Sequence, residues 1–141
     1  MIKKVKPLLL AGVLVFSFAS STFAASYSPK WQLRPDTIGD TGAAQVDLPG
    51  TDSAVTVIVW QQGINAGKKA YTYWQIRHKS TGLIEGAKPL DGDYDGSFVF
   101  SGLDHPGGIY IVEWESFTSN DTEGYYQLAT NSSGASFARI E

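Results

Sequence analysis

The sequence predicts an all-β fold, a single antiparallel β-sandwich set behind a short N-terminal leader. Three observations predict it. Short runs rich in β-branched and aromatic residues recur down the chain. Clusters of Gly, Asn, Asp or Pro separate them. No window shows a helical period.

Taken in order, the runs are 54–60 (AVTVIVW), 70–79 (AYTYWQIRHK), 96–103 (GSFVFSGL), 108–118 (GIYIVEWESFT), 124–130 (GYYQLAT) and 135–140 (ASFARI). Residues 46–48 and 83–90 are weaker candidates for further strands. Residues 25–42 are spotted with Pro and Gly and read as irregular, with Trp31 tucked against the body. The domain proper is then 43–141. Six to eight strands in a chain of this size fit two packed antiparallel sheets, with a closed barrel as the alternative.

The chain starts with Lys3, Lys4 and Lys6, continues with an apolar run over 8–18, and turns small at Thr22-Phe23-Ala24. That order is a secretory signal peptide over 1–24, cut after Ala24. The run is too short for a membrane span, which needs about 20 apolar residues. Cleavage would leave 117 of the 141 residues, with eight basic against 14 acidic, net −6. The expected product is secreted, extracellular and free of the membrane, and a cysteine-free exported chain hints at a bacterial source. With no Cys at all, a disulfide scaffold, a thiolate zinc site and a Cys nucleophile are excluded. An acidic chain lacks the basic face that phosphate neutralisation needs, so no nucleic-acid partner is expected.

Residues 100–112 (FSGLDHPGGIYIV) carry a Leu, a Pro-Gly turn and a Tyr opening an alternating strand. This segment resembles the corner between two strands of immunoglobulin-like and fibronectin type III domains. The resemblance implies an immunoglobulin-like sandwich in which Tyr110 hydrogen-bonds back to the backbone upstream. By fold analogy alone, it also implies an adhesive or binding role.

Strand alternation sorts side chains onto two faces. Val55, Val57 and Val59 read as core, as do Thr72, Trp74 and Ile76, and Tyr110, Val112 and Trp114. Under the sandwich reading, the strands from 70 and from 108 lie side by side. Their outer faces then merge into one surface showing Tyr71, Tyr73, Gln75, Arg77, Glu113 and Glu115. Tyrosines flanked by charges and amides suit a glycan or cell-wall ligand, or a protein partner. The competing account is ordinary: Tyr favours strands, and Arg77 with Glu113 is a common cross-strand pair.

The sharpest local motif is DGDYDG over 91–96. Asp91, Asp93 and Asp95 have the D-x-D-x-D-G spacing that opens calcium loops. A bidentate Glu at the twelfth position and flanking helices are missing, and an Asp/Gly turn is the plain alternative. No cofactor is required by any motif; calcium is the one ion suggested.

Signatures of catalysis are sparse. His78 and His105 are far apart in sequence, in no ligand spacing, and each reads as structural. No nucleophile elbow or phosphate loop occurs. Glu113 and Glu115 share a strand face, the one hint of a small hydrolase. The sequence is therefore read as a non-enzymatic, secreted binding domain for a carbohydrate or surface ligand. A protein-binding, inhibitory or self-assembling role is the alternative.

Overall fold

Alternation along the strongest runs decides which faces meet. Val55, Val57 and Val59 from one sheet and Trp74, Ile76, Tyr110 and Val112 from the other are all at most 1% exposed. Removing such side chains from water is the main favourable term in folding. A computed structural model describes residues 26–33, 39–65, 69–117, 122–131 and 136–140. The expected signal segment, 1–24, lies outside the described residues.

Ten strands are described: β1 (Ser26–Tyr27), β2 (Trp31–Gln32), β3 (Thr41–Asp47), β4 (Val55–Gly63), β5 (Tyr71–His78), β6 (Ile84–Asp91), β7 (Tyr94–Phe100), β8 (Ile109–Ser116), β9 (Thr122–Thr130) and β10 (Ser136–Ile140). They form two five-stranded sheets. The first has the order β1-β9-β4-β7, with β2 also on β9; the second has β10-β3-β8-β5-β6. All pairings are antiparallel. The all-β, two-sheet expectation holds, and no helix of the described residues is long and apolar enough to cross a membrane.

Within the 25–42 stretch, the described residues include β1, β2 and the start of β3. Tyr27 pairs with Ala129, and Trp31 pairs with Tyr126 and packs on its ring at 5.1 Å. Strand β3 begins at Thr41, ahead of the apolar 46–48 run, and pairs with β8 over seven residues. Its Gly42 sits under the Trp114 indole, where a Cβ would lie 2.3 Å from Nε1. Tertiary packing here overrides a weak local β preference.

The topology departs from the immunoglobulin resemblance. In that fold, the last two strands form a hairpin within one sheet. Here β8 belongs to the second sheet, and β9 crosses to the first, next to β4. The Tyr110 corner is nonetheless present: the backbone N–H of His105 donates to the Tyr110 hydroxyl at 3.1 Å.

A polar chain ties the two sheets where β6 crosses to β7. Buried Gln61 of β4 donates through Nε2 to the Gly92 carbonyl at 2.9 Å and the Leu90 carbonyl at 3.3 Å. Its Oε1 accepts from Thr72 Oγ1 at 2.7 Å, and that hydroxyl accepts from Trp74 Nε1 at 2.9 Å. Each polar side chain in this buried chain is satisfied, as burial demands.

Candidate functional site

The second sheet turns its outer face to solvent, and the expected surface is there. In β5, Tyr71, Tyr73, Gln75 and Arg77 are half-buried and alternate with buried Thr72, Trp74 and Ile76. Strand β8 lies beside it in register, Tyr73 opposite Glu115 and Gln75 opposite Glu113. The 83–90 segment does not cover this face. It forms β6 and extends the sheet as its edge, where Pro89 costs no ladder bond on the open side.

Glu113 is the hub of the polar half. Its Oε2 accepts from Gln75 Nε2 at 2.9 Å, and its Oε1 accepts from Arg77 Nε at 2.7 Å. Arg77 Nη2 also closes on Oε1 at 2.5 Å. Arg77 is thus committed to holding a carboxylate in place. Tyr71 and Tyr73 form the aromatic half. Both meet the Phe117 ring edge-on, at 5.5 and 5.9 Å.

Between β5, β8, β3 and β10 the face opens into a groove of about 520 Å³. Its lining brings together Tyr73, Gln75, Glu113 and Glu115 with Thr41 and Ala43 of β3 and Arg139 and Ile140 of β10. Tyr71 and Arg77 flank the groove and do not line it. Arg139 escaped sequence reasoning, because only the β10–β3 pairing brings it here. Beneath the groove, Trp114 Nε1 and the Tyr126 hydroxyl are buried without a well-formed hydrogen bond. Burial raises the pKa of the Tyr126 phenol, against the opposing influence of Arg139 and the Trp114 N–H.

The opposite sheet holds a second surface that sequence reasoning missed. Trp60 of β4 and Tyr125 of β9 are register partners whose rings stack at 6.1 Å and 20°. They line a depression of about 370 Å³ with Ile58, Gln127, Asp95 and Lys30. The alternation of Thr56, Ile58 and Trp60 was the available signal; the partner could not be found without the β4–β9 register.

The three aspartates part company. Asp91 ends β6 in one sheet, Asp93 stands in the corner, and Asp95 lies in β7 of the other sheet, opposite Trp60. Asp93 Oδ1 accepts from the Gly63 N–H at 3.1 Å, a backbone-capping role. Gly92, at φ 90°, makes the sharp turn between sheets.

His78 and His105, far apart in sequence, are brought together. Their rings stack at 3.8 Å with 3° between planes. His78 ends β5, and the loop between β7 and β8 carries His105 over it. Glu85 joins them, with its Oε2 at 3.6 Å from His105 Nδ1. Desolvation pushes the Glu85 carboxyl up, but bonds from the Asp104 N–H and the Tyr110 hydroxyl, with His105, outweigh it and leave its pKa lowered. The Tyr110 phenol is raised, chiefly by burial.

No family model matches the chain, and no curated protein does. Solved structures resemble it in architecture. Xyl-CBM35 in complex with a glucuronic-acid-containing disaccharide is 13% identical at TM-score 0.47, over 86% of this chain and 84% of that one. PirA is 12% identical at TM-score 0.46, over 74% and 94%. The CBM36-1 domain of a multidomain xylanase, from the hindgut metagenome of Trinervitermes trinervoides, is 10% identical at TM-score 0.45, over 76% and 89%. These likenesses are of the sandwich alone.

Proposed function

We propose that this protein is an exported, non-catalytic β-sandwich that binds a carbohydrate in the groove on its second sheet. The observation that carries the reading is that open groove of about 520 Å³, where Glu113, Glu115 and Gln75 stand beside the Tyr73 ring. Its size falls in the range of small-ligand sites, about 300–1,000 Å³. A sugar presents hydroxyls around an apolar C–H face. Carboxylates and amides accept and donate to the former, and a tyrosine ring packs on the latter. The Arg77–Glu113–Gln75 network fixes the acceptor before any ligand arrives, which lowers the ordering cost of binding. The N-terminal order of lysines, apolar run and Thr22-Phe23-Ala24 supports export.

A second reading places the glycan on the opposite sheet, and one observation favours it: the near-parallel Trp60–Tyr125 stack, a flat platform flanked by Asp95 and Gln127. Sedimentation of the purified protein with insoluble polysaccharides and bacterial cell walls separates the two. Retention should fall at least about tenfold in Tyr73→Ala/Glu115→Gln, the loss of roughly 1.4 kcal/mol of binding, and persist in Trp60→Ala/Tyr125→Ala. The reverse pattern moves the site to the first sheet. A soluble, folded protein that pellets with no polymer ends the glycan reading and favours a protein partner or self-assembly.

A further inference from the structure

We propose that His78, Glu85 and His105 form a binding site for a divalent transition metal of the zinc class. Among the described residues, these three are the group whose ligand-type atoms all lie within 4.8 Å of one another. Two imidazoles and a carboxylate are a donor set that zinc takes readily, with a fourth position left open.

The backbone builds the site from three directions. Glu85 is the extra residue of a β-bulge: Ile76 pairs with Gly86 and Arg77 with Ile84, leaving Glu85 without a partner across the ladder. A bulge re-aims a side chain. Here the Glu85 carboxylate comes to rest at the end of the sandwich, its side chain only 8% exposed. His78 is delivered by the last residue of β5, also 8% exposed. His105 sits in the loop before β8. That loop is pinned on both sides of His105, where Leu103 N–H donates to the Ser53 carbonyl at 3.0 Å and Gly107 N–H to the Asp52 carbonyl at 2.8 Å. Gly108 completes the enclosure. A Cβ there would stand 2.8 Å from the His105 carbonyl and 3.4 Å from His78 Nε2.

An independent observation points to a ligand. Glu85 Oε1 is satisfied, accepting from Asp104 N–H at 2.6 Å and the Tyr110 hydroxyl at 3.2 Å. Glu85 Oε2 is buried with no hydrogen-bond partner. A buried carboxylate oxygen left unpaired is costly, and native structures rarely tolerate one without a reason. His105 Nδ1, at 3.6 Å, is too far to supply the bond. The same separation suits a shared ion. Two ligand atoms at about 2.0–2.1 Å from a tetrahedral zinc lie about 3.3 Å apart.

The surroundings fit as well. His78 Nδ1 faces Thr81 Oγ1 at 3.1 Å and the Thr81 N–H at 3.4 Å, leaving Nε2 as the nitrogen open to an ion. Metal at Nε2 requires the ring proton on Nδ1, where the Thr81 hydroxyl would accept it and orient the imidazole. The Tyr110 hydroxyl and Asp104 N–H hold the carboxylate in the same way. The parallel stack brings the rings close, but one ion cannot lie in both ring planes. Coordination therefore requires His105 to turn, and a side chain 44% exposed has room to do so.

The test uses the untagged protein, stripped with chelator and titrated with ZnCl₂. Calorimetry should show one ion per chain. The melting temperature should rise by several degrees over the chelated protein, since a ligand of the folded state alone stabilises it. Neither CaCl₂ nor MgCl₂ should reproduce the rise. His105→Ala should melt like the parent in chelator and bind zinc at least about 100-fold more weakly; Thr81→Ala should bind about tenfold more weakly. Bound Co²⁺ should give the intense visible absorption of a tetrahedral centre, lost in His105→Ala. No heat and no melting shift with zinc overturns the proposal. So does binding of undiminished affinity in both His105→Ala and Glu85→Gln, which would place the ion elsewhere.

Discussion

Gln61→Leu tests how the two sheets are clamped, since the new side chain keeps much of the volume and removes every polar contact. Gln61 is 1% exposed, so water cannot easily replace what is lost. The Gly92 carbonyl loses a 2.9 Å donor, and the Thr72 hydroxyl loses its 2.7 Å acceptor. Each stranded group costs about 2 kcal/mol, and the longer bond to the Leu90 carbonyl adds about 1 kcal/mol. Burying a Leu in place of an amide offsets about 2 kcal/mol. The net loss is about 3 kcal/mol, a large share of a typical stability of about 5–15 kcal/mol. For a domain of this size, that lowers the melting temperature by about 10–20 °C. Urea unfolding followed by tryptophan fluorescence reads it directly, because Trp74 Nε1 donates into the same chain. A loss below about 1 kcal/mol, with an unchanged denaturant slope, would falsify the clamp; the groups around Gln61 would then be finding other partners.

Two further substitutions probe the groove. Gly42→Ala puts a Cβ 2.3 Å from Trp114 Nε1; it should destabilise by about 1–3 kcal/mol and shift tryptophan emission, and a parent-like melt and spectrum would show that the indole yields freely. Arg77→Ala breaks a pair whose side chains are 35% and 25% exposed, so it should cost under about 1 kcal/mol while weakening glycan retention by freeing Glu113; a cost of several kcal/mol in chemical denaturation would assign the pair a structural role instead.

What the sequence made legible follows its local physics. β4, β5 and β8 could be read because β-branched and aromatic residues are dense there, and the clean alternation of β5 sorted Tyr71, Tyr73, Gln75 and Arg77 onto one face. β3 hid because Gly42, Ala43 and Ala44 carry almost no strand signal; what places them is the Trp114 ring above. The path of β9 into the opposite sheet could not be read, since alternation tells inside from outside and nothing about which strand lies alongside. That gap produced the immunoglobulin topology, and it also concealed the Trp60–Tyr125 stack. The Asp91–Asp95 spacing shows the same limit: neighbours in sequence are divided between two sheets by the Gly92 corner. His78 and His105 show the converse, distant residues joined by one loop.

The two ends of the described chain occupy sheet margins together with late strands. Ser26 pairs with Thr130, and Ala43 pairs with Ile140. Neither sheet can therefore be completed until the final strands are available, so much of the assembly waits on contacts between opposite ends of the polypeptide. Chains with such long-range pairing fold slowly. A nascent chain still emerging from the ribosome, with its last strands held in the exit tunnel, would lack the partners that close both margins.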